Sequence, residues 1–332
     1  MKNKKSVLPD KRMSHLVLLG AGASLASFPN GDKNGFKLPL MNSLVDELDL
    51  YKFIPKKYEN LITDFEKLYS QLSLDNTATV AKKEIDKKVY EYFYDMEIPD
   101  KPTLYDYLIL SLRKKDLIAT FNWDPLLLKT MRRHSSIKNL PNMAFLHGNV
   151  AVGICNKCNI KGFKYNVICH HCRRPYSDMK LLYSVENKNY SSNVSIEEEW
   201  KILREYFKIS LYVTIFGYSA PVSDFDAKKL MLDAPMENKS RNFYELEIID
   251  IKSKEEVEGT WYDFIHSHHY SVIDSFKKSY LWHHPRRSTD AFFDAYLMNS
   301  PWDENPFPEF NDVYEMHKWI EPLLRAEEKA SS

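Results

Sequence analysis

Two hydrophobic rhythms alternate along the chain. The first is the short, unbroken apolar run that a parallel strand covered on both faces requires. Such runs stand at HLVLL (15–19), at Leu117-Ile118-Ala119, in MAFLHGN (143–149), in LYVTIFGYS (211–219) and in FYELEIIDIKS (243–253). The second is apolar spacing near 3.6 residues with charge on the outer side, the pattern of an amphipathic helix. It fills residues 40–115, in LMNSLVDELDLY, YENLITDFEKLYSQL, VAKKEIDKKVYEYFYDM and TLYDYLILSLRKK, and returns in IEEEWKILREYFKIS (196–210). Beyond residue 260 the chain is aromatic-rich and reads as mostly helical, YDFIHSHHYSVIDSFKKSYLW included. Strands alternating with helices predict an α/β fold on a doubly wound, Rossmann-like parallel sheet. The expected organisation is a sheet domain over 13–260, with a helical insertion at 40–115 and a compact cysteine module at 151–180. A helical region over 261–332 follows.

In open sheets of this kind, ligands bind outside the carboxyl ends of the strands. The polar and glycine residues that end the apolar runs fall there: GAGAS at 20–24, Asn122 and Asp124, His147, and Gly217 to Ser219. An Asn-Trp-Asp triplet at the end of a buried strand therefore predicts a ligand site assembled at that edge.

Composition narrows the partners. Lys plus Arg number 46 and Asp plus Glu number 46, so the formal net charge is zero. No global field draws such a chain to nucleic acid or to an anionic membrane. No run approaches the roughly 18 apolar residues of a membrane span. The basic, then apolar, first residues imitate a secretion signal, but Leu16 to Leu19 falls short of the usual core of about 7 to 15 residues. A cytoplasmic protein is expected.

GAGAS is the first chemical motif. Glycines let a backbone turn sharply and approach a pyrophosphate at a helix amino terminus. The spacing departs from G-x-G-x-x-G, and no Gly-Lys-Ser/Thr follows, so it is neither a hydride-transfer fingerprint nor a P-loop. An ordinary tight turn under a helix is the alternative. His147, beside Gly148, is a candidate general base, weighed against a structural histidine. Asn122 can position a water or a sugar hydroxyl, and Asp124 can accept from an amide or hydroxyl. Cys155-x-x-Cys158 and Cys169-x-x-Cys172, the only four cysteines, match the two knuckles of a closed tetrahedral zinc site. Disulfides or a redox pair are the alternatives. So small and polar a module cannot hold itself by apolar burial, so metal would supply its folding energy. His170 and His171 are substitute ligands that the set does not need. His266, His268, His269, His283 and His284 fit no standard metal spacing and are read as a packed or interfacial helical region, with Arg286 and Arg287 as surface charges. Trp282, Trp302 and Trp319 belong to an aromatic cap or an interface.

The ordered set GAGAS, TFNWD, LHG, two Cys-x-x-Cys pairs and GYS resembles the sirtuin family, which binds NAD in a doubly wound domain with a small zinc module soon after the catalytic histidine. The resemblance is carried by residues 15–250 through sparse motifs. It implies NAD and Zn2+ as ligands. It implies that Ala21, Gly22 and Ser24, on the turn begun by Gly20, hold the NAD phosphates and ribose. Asn122 and Asp124 would position the nicotinamide ribose and a water, and His147 would be the general base on a ribose hydroxyl. FGYSAPVSDFD would place Gly217, Ser219 and Asp224 near the cofactor, with the strand end near Asp250 approaching the adenosine. Three departures refine it: the glycine loop carries no Arg, Phe121 stands where deacylases have Gln, and Trp123 stands where they have Ile. These point to the sirtuin-like NAD-hydrolysing branch of bacterial antiphage defence. That branch often lacks zinc, so the cysteine module makes an NAD-dependent protein deacylase the alternative; a non-catalytic NAD or ADP-ribose sensor is a third class. A standalone NAD hydrolase would poison its host, so control by self-assembly or by a partner, such as a ring-shaped translocase ATPase, is expected.

Overall fold

The computed structural model describes residues 13–166, 168–183, 194–220, 228, 229, 231, 233, 245–265, 269–297 and 303–331. The described strands are β1 (Ser14–Leu19), β2 (Leu117–Thr120), β3 (Asn142–Phe145), β4 (Val152–Cys155), β5 (Ile160–Phe163), β6 (Ser177–Asp178), β7 (Ser210–Phe216), β8 (Glu245–Ile249) and β9 (His269–Ile273). Six of them pair in parallel in the order β3-β2-β1-β7-β8-β9. The other three form a separate antiparallel sheet, β5-β4-β6, in the cysteine module.

The unbroken apolar runs are explained by burial on two sides. Every residue of β1 and of β7 is buried. Along β1, Val17 and Leu19 enter one apolar cluster and Leu16 and Leu18 another, so the two-residue period feeds both faces. The first face is covered by Leu68, Val89 and Leu108 of the insertion and by Leu281 and Ile320 from late in the chain. The second is covered by the helices Val194–Ile209 and Lys254–Ile265, through Trp200, Phe207, Trp261 and Phe264. The chain steps from β1 outward through β2 to β3, then returns to the other side of β1 for β7, β8 and β9. Progression thus reverses between β1 and β7, and the carboxyl ends of those two strands are where a parallel sheet opens a crevice.

Three expectations need correction. HYSVI, inside a tail expected to be mostly helical, forms β9, in register with β8 from Glu245↔His269 to Ile249↔Ile273. Its polar alternation is that of a partly covered edge strand, and the surrounding histidines and aromatics hide it. LMNSLVDELDLY forms only the short helix Leu44–Glu47; Asp49 takes a left-handed φ of 48° and turns the chain away. Arg286 is no surface charge. It is buried, forms an ion pair with Glu327, and donates to the Leu112 carbonyl at 3.0 Å. Among the described residues, no helix is long and apolar enough to cross a membrane.

Candidate functional site

The GAGAS and GYS turns, at the ends of β1 and β7, are locked together. The Gly20 amide donates to the Phe216 carbonyl (3.0 Å) and the Gly22 amide to the Gly217 carbonyl (2.9 Å). A Cβ on Gly20 would lie 2.4 Å from the Gly217 carbonyl oxygen. Gly217 has φ +60°, and a Cβ there would lie 2.3 Å from the Ala23 nitrogen. These glycines are therefore required by the mutual approach of two strand ends, whatever binds beside them. Two amides that the motif offered to a phosphate are already used. What remains reachable is the exposed Ala21 and Ser219 and the half-buried Gly22 and Gly217. Asp224 lies outside the described residues.

Behind this turn sits a buried network. Ser24, on the helix Ala21–Ser27, donates its hydroxyl to Asp124 Oδ2 at 2.8 Å. It accepts from the Tyr105 hydroxyl at 2.7 Å and from Asn122 Nδ2 at 2.9 Å. Asn122 Nδ2 also donates to the Gly20 carbonyl, at 2.9 Å. Both amide hydrogens of Asn122 are thus engaged, and its carboxamide oxygen makes no hydrogen bond among the described residues, so it is the part of this half-buried side chain free to meet a ligand. Burial raises the Asp124 pKa to about 6, against the opposing hydrogen bonds from Ser24 and from the Leu126 amide. Burial likewise pushes the Tyr105 phenol well above its ordinary range, keeping it a donor.

His147 follows β3, one strand out from Asn122; the Leu146 amide still donates to the Thr120 carbonyl at 2.9 Å, which keeps the two ends side by side. The His147 ring meets Phe121 edge-on at 4.9 Å, and Phe121 in turn stacks on Tyr218 at 4.0 Å. Phe121 and Tyr218 thus stack beside the His147 ring. Asn149 braces both sides: its Nδ2 donates to the Asp124 carbonyl at 2.6 Å, and its Oδ1 accepts from the Ala151 amide at 2.9 Å. Asp250, half-buried at the end of β8, uses Oδ1 to cap the Lys252 amide at 3.0 Å. Sequence reasoning missed Tyr105 and Asn149. Tyr105 is one aromatic among several in an apolar helix, with nothing local to mark it. Asn149 stood in view two residues after His147, and the polar residue after a buried strand could have flagged it.

The four cysteines do come together. Their sulfurs lie within 4.8 Å of one another, a set that can hold a metal ion such as zinc. Cys155 and Cys172, from different pairs, are 3.4 Å apart, a spacing suited to neighbouring ligands and far beyond an S–S bond. The two Cys-x-x-Cys turns have the same build. The Asn159 amide returns to the Cys155 carbonyl at 2.7 Å and the Arg173 amide to the Cys169 carbonyl at 2.8 Å. Asn159 and Arg173 both take left-handed φ values, 48° and 62°. Two matched knuckles facing each other orient four thiols on one point.

No family model matches the chain, and no curated protein matches it.

Proposed function

We propose that the chain is a sirtuin-like NAD+ hydrolase that cleaves the nicotinamide glycosidic bond to give ADP-ribose and nicotinamide, in the NAD-depleting manner of antiphage defence. The observation that carries this is Asn122. Its amide is pinned by the Gly20 carbonyl and the Ser24 hydroxyl at the carboxyl end of β1, which leaves its carboxamide oxygen without a hydrogen bond among the described residues on a half-buried side chain. The reversal of strand order at that point and the cover on both faces support a doubly wound, Rossmann-like sheet with a helical cap from the end of the chain.

The chemistry asks little of the protein. The leaving nicotinamide is already a cationic pyridinium, so no general acid is needed. The ribose must be oriented, bulk water excluded and one nucleophile held about 3 Å from the anomeric carbon. Asn122 would orient the ribose or the attacking water through its free oxygen. Asp124 holds Ser24 and so fixes Asn122, while His147 would accept a ribose hydroxyl proton. Phe121 and Tyr218 would keep the anomeric face dry. Zinc on Cys155, Cys158, Cys169 and Cys172 would be structural, with no open position for substrate.

The cysteine cluster favours a second reading, the NAD-dependent deacylase, in which an acyl-lysine oxygen takes the place of water. Incubating the purified protein with NAD, with and without an acetylated peptide, separates the two by chromatography. Nicotinamide and ADP-ribose without peptide are expected. Release strictly dependent on peptide would favour the deacylase, and tight binding with intact NAD a sensor. Control by self-assembly or by a partner such as a ring-shaped translocase ATPase is part of the proposal; light scattering that finds a constitutively active monomer would contradict it.

A further inference from the structure

β3 is the last strand on its side of the parallel sheet, and β2 pairs with only one of its edges. The Asn142 amide donates to the Asp116 carbonyl (3.0 Å) and the Leu146 amide to the Thr120 carbonyl (2.9 Å). By the two-residue period of a strand, Met143 and Phe145 turn their backbone groups away from β2. An open edge of this kind is a template for another chain. Here it is closed by side chains. Glu199, on the helix Val194–Ile209, accepts from the Phe145 amide at 2.9 Å. Lys161, on β5, donates to the Met143 carbonyl at 3.2 Å and to both oxygens of Glu199 at 2.7 Å.

The cover is built for this edge. Glu199 is buried, and a carboxylate is costly to bury unless it is paired and hydrogen-bonded. Lys161 supplies the counter-charge, set in place by the antiparallel register Ile154↔Lys161. The same ammonium lies over the Phe145 ring, 5.6 Å from its centre. What the pair covers is also self-complementary. Let a second copy lie antiparallel to β3 across a two-fold axis at Ala144. Met143 and Phe145 of one copy then face Phe145 and Met143 of the other as hydrogen-bonded pairs, with the two Ala144 residues between them as a close pair without hydrogen bonds. Each Phe145 amide would meet a Met143 carbonyl, and those are the two groups that Glu199 and Lys161 occupy.

We propose that the outer edge of β3 is a latent docking surface for a second copy of this chain, and that Lys161 and Glu199 are the gate that holds it shut. The ion pair and the second copy compete for the same amide and the same carbonyl. The Lys161 side chain is 35% exposed, so the gate opens from the solvent side when Lys161 swings outward. This reading is independent of the chemistry at the strand ends.

The full chain carrying Lys161→Ala and Glu199→Ala together loses both charges at once and keeps no buried charge unpaired. In sedimentation at rising concentration it should reach twice the mass of the parent. Adding Ala144→Cys locates the contact. The two Cα atoms would lie about 4.5 Å apart in the two-fold pair, within reach of a disulfide. Mild oxidation followed by mass spectrometry should then give peptides linked through position 144, and none when Ala144→Cys is placed in the parent. Lys161→Ala alone changes a partly exposed side chain and should fold. It should associate at about 10-fold higher concentration than the double variant, because Glu199 still competes for the Phe145 amide. A mass that stays at the parent's value in both variants, or a doubled mass without linkage at position 144, overturns the proposal.

Discussion

The parallel sheet buries polar groups both at the carboxyl ends of its strands and within them, and it does so differently. At the carboxyl end, Ser24, Asn122, Asp124 and Tyr105 form a network with one reachable member, Asn122, beside the exposed Ala21 and Ser219. Within the strands, a chain runs across the sheet from His15 Nε2 to the Thr214 hydroxyl (2.8 Å), on to Glu247 (3.3 Å), and from Glu247 to the Tyr280 amide (3.1 Å). His15, Thr214 and Glu247 are all buried. Phe292 and Ala295, from a covering helix, pack beside Tyr212 over this layer. Burial drives His15 down to about 3, which keeps it neutral, and raises Glu247 to about 7, far above an ordinary carboxylate; both serve as hydrogen-bonding groups. Buried polarity in the sheet is therefore no mark of a site by itself. What separates the two regions is that the carboxyl end keeps an acceptor without a hydrogen bond among the described residues, within reach of solvent.

The contrast can be broken or sharpened experimentally. The largest effect belongs to neither region but to the module that follows β3. Structural zinc contributes about 10 kcal/mol or more to folding in small metal-dependent domains, so stripping the metal, or Cys155→Ser, should abolish amide protection across β4 to β6. Hydrogen exchange measures this, and a module that stays protected without metal refutes it. Next comes activity. Asn122→Ala and His147→Ala should each lower NAD turnover about 100-fold, while Glu247→Gln, buried within β8, leaves it within a factor of about 2. Equal losses in both regions would erase the distinction.

Stability then separates the two regions in a different way. Gly217→Ala puts a Cβ against the Ala23 backbone in a left-handed conformation. It should cost about 3 kcal/mol by denaturant titration. Within the sheet, Glu247 has its pKa raised from 4.5 to about 7 by burial. A raised acid contributes its stability in full below the unfolded value, about pH 4.5, and loses it as pH rises through the folded value, about pH 7. Glu247→Gln should therefore flatten the stability profile between those values and be more stable than the parent at pH 8, by on the order of 2 kcal/mol. An unchanged profile would contradict a buried, neutral Glu247. The smallest effect is Tyr105→Phe, which removes one buried hydrogen bond to Ser24 and should cost about 1 kcal/mol; a neutral result would take Tyr105 out of the network.

The carboxyl end was far more legible in the sequence than the polar layer within the sheet. Mostly apolar runs closed by Gly, Asn or His located β1, β2, β3 and β7 and the residues just beyond them, because a doubly covered strand favours apolar residues until it ends. The cysteine spacing named its own cluster. The polar layer within the strands was hidden by the same pattern. His15, Thr214 and Glu247 sit inside runs that otherwise read as apolar, and single-chain periodicity cannot say that three such residues will line up on neighbouring strands. β9 was missed because HYSVI lies among histidines and aromatics that also suit a helix. Arg286 could not be placed as buried without its partner Glu327, 41 residues on. The roles of the glycines were legible only in part: the turn was foreseen, but not that its tightness serves the neighbouring loop.

Turnover of NAD tests the central claim most directly. The full chain, concentrated enough to assemble and free of any acylated peptide, is incubated with NAD beside Asn122→Ala, and nicotinamide is quantified by chromatography. The account predicts nicotinamide and ADP-ribose in equal amounts from the parent chain and a trace from the variant. No release from the parent, or equal release from both, would contradict it.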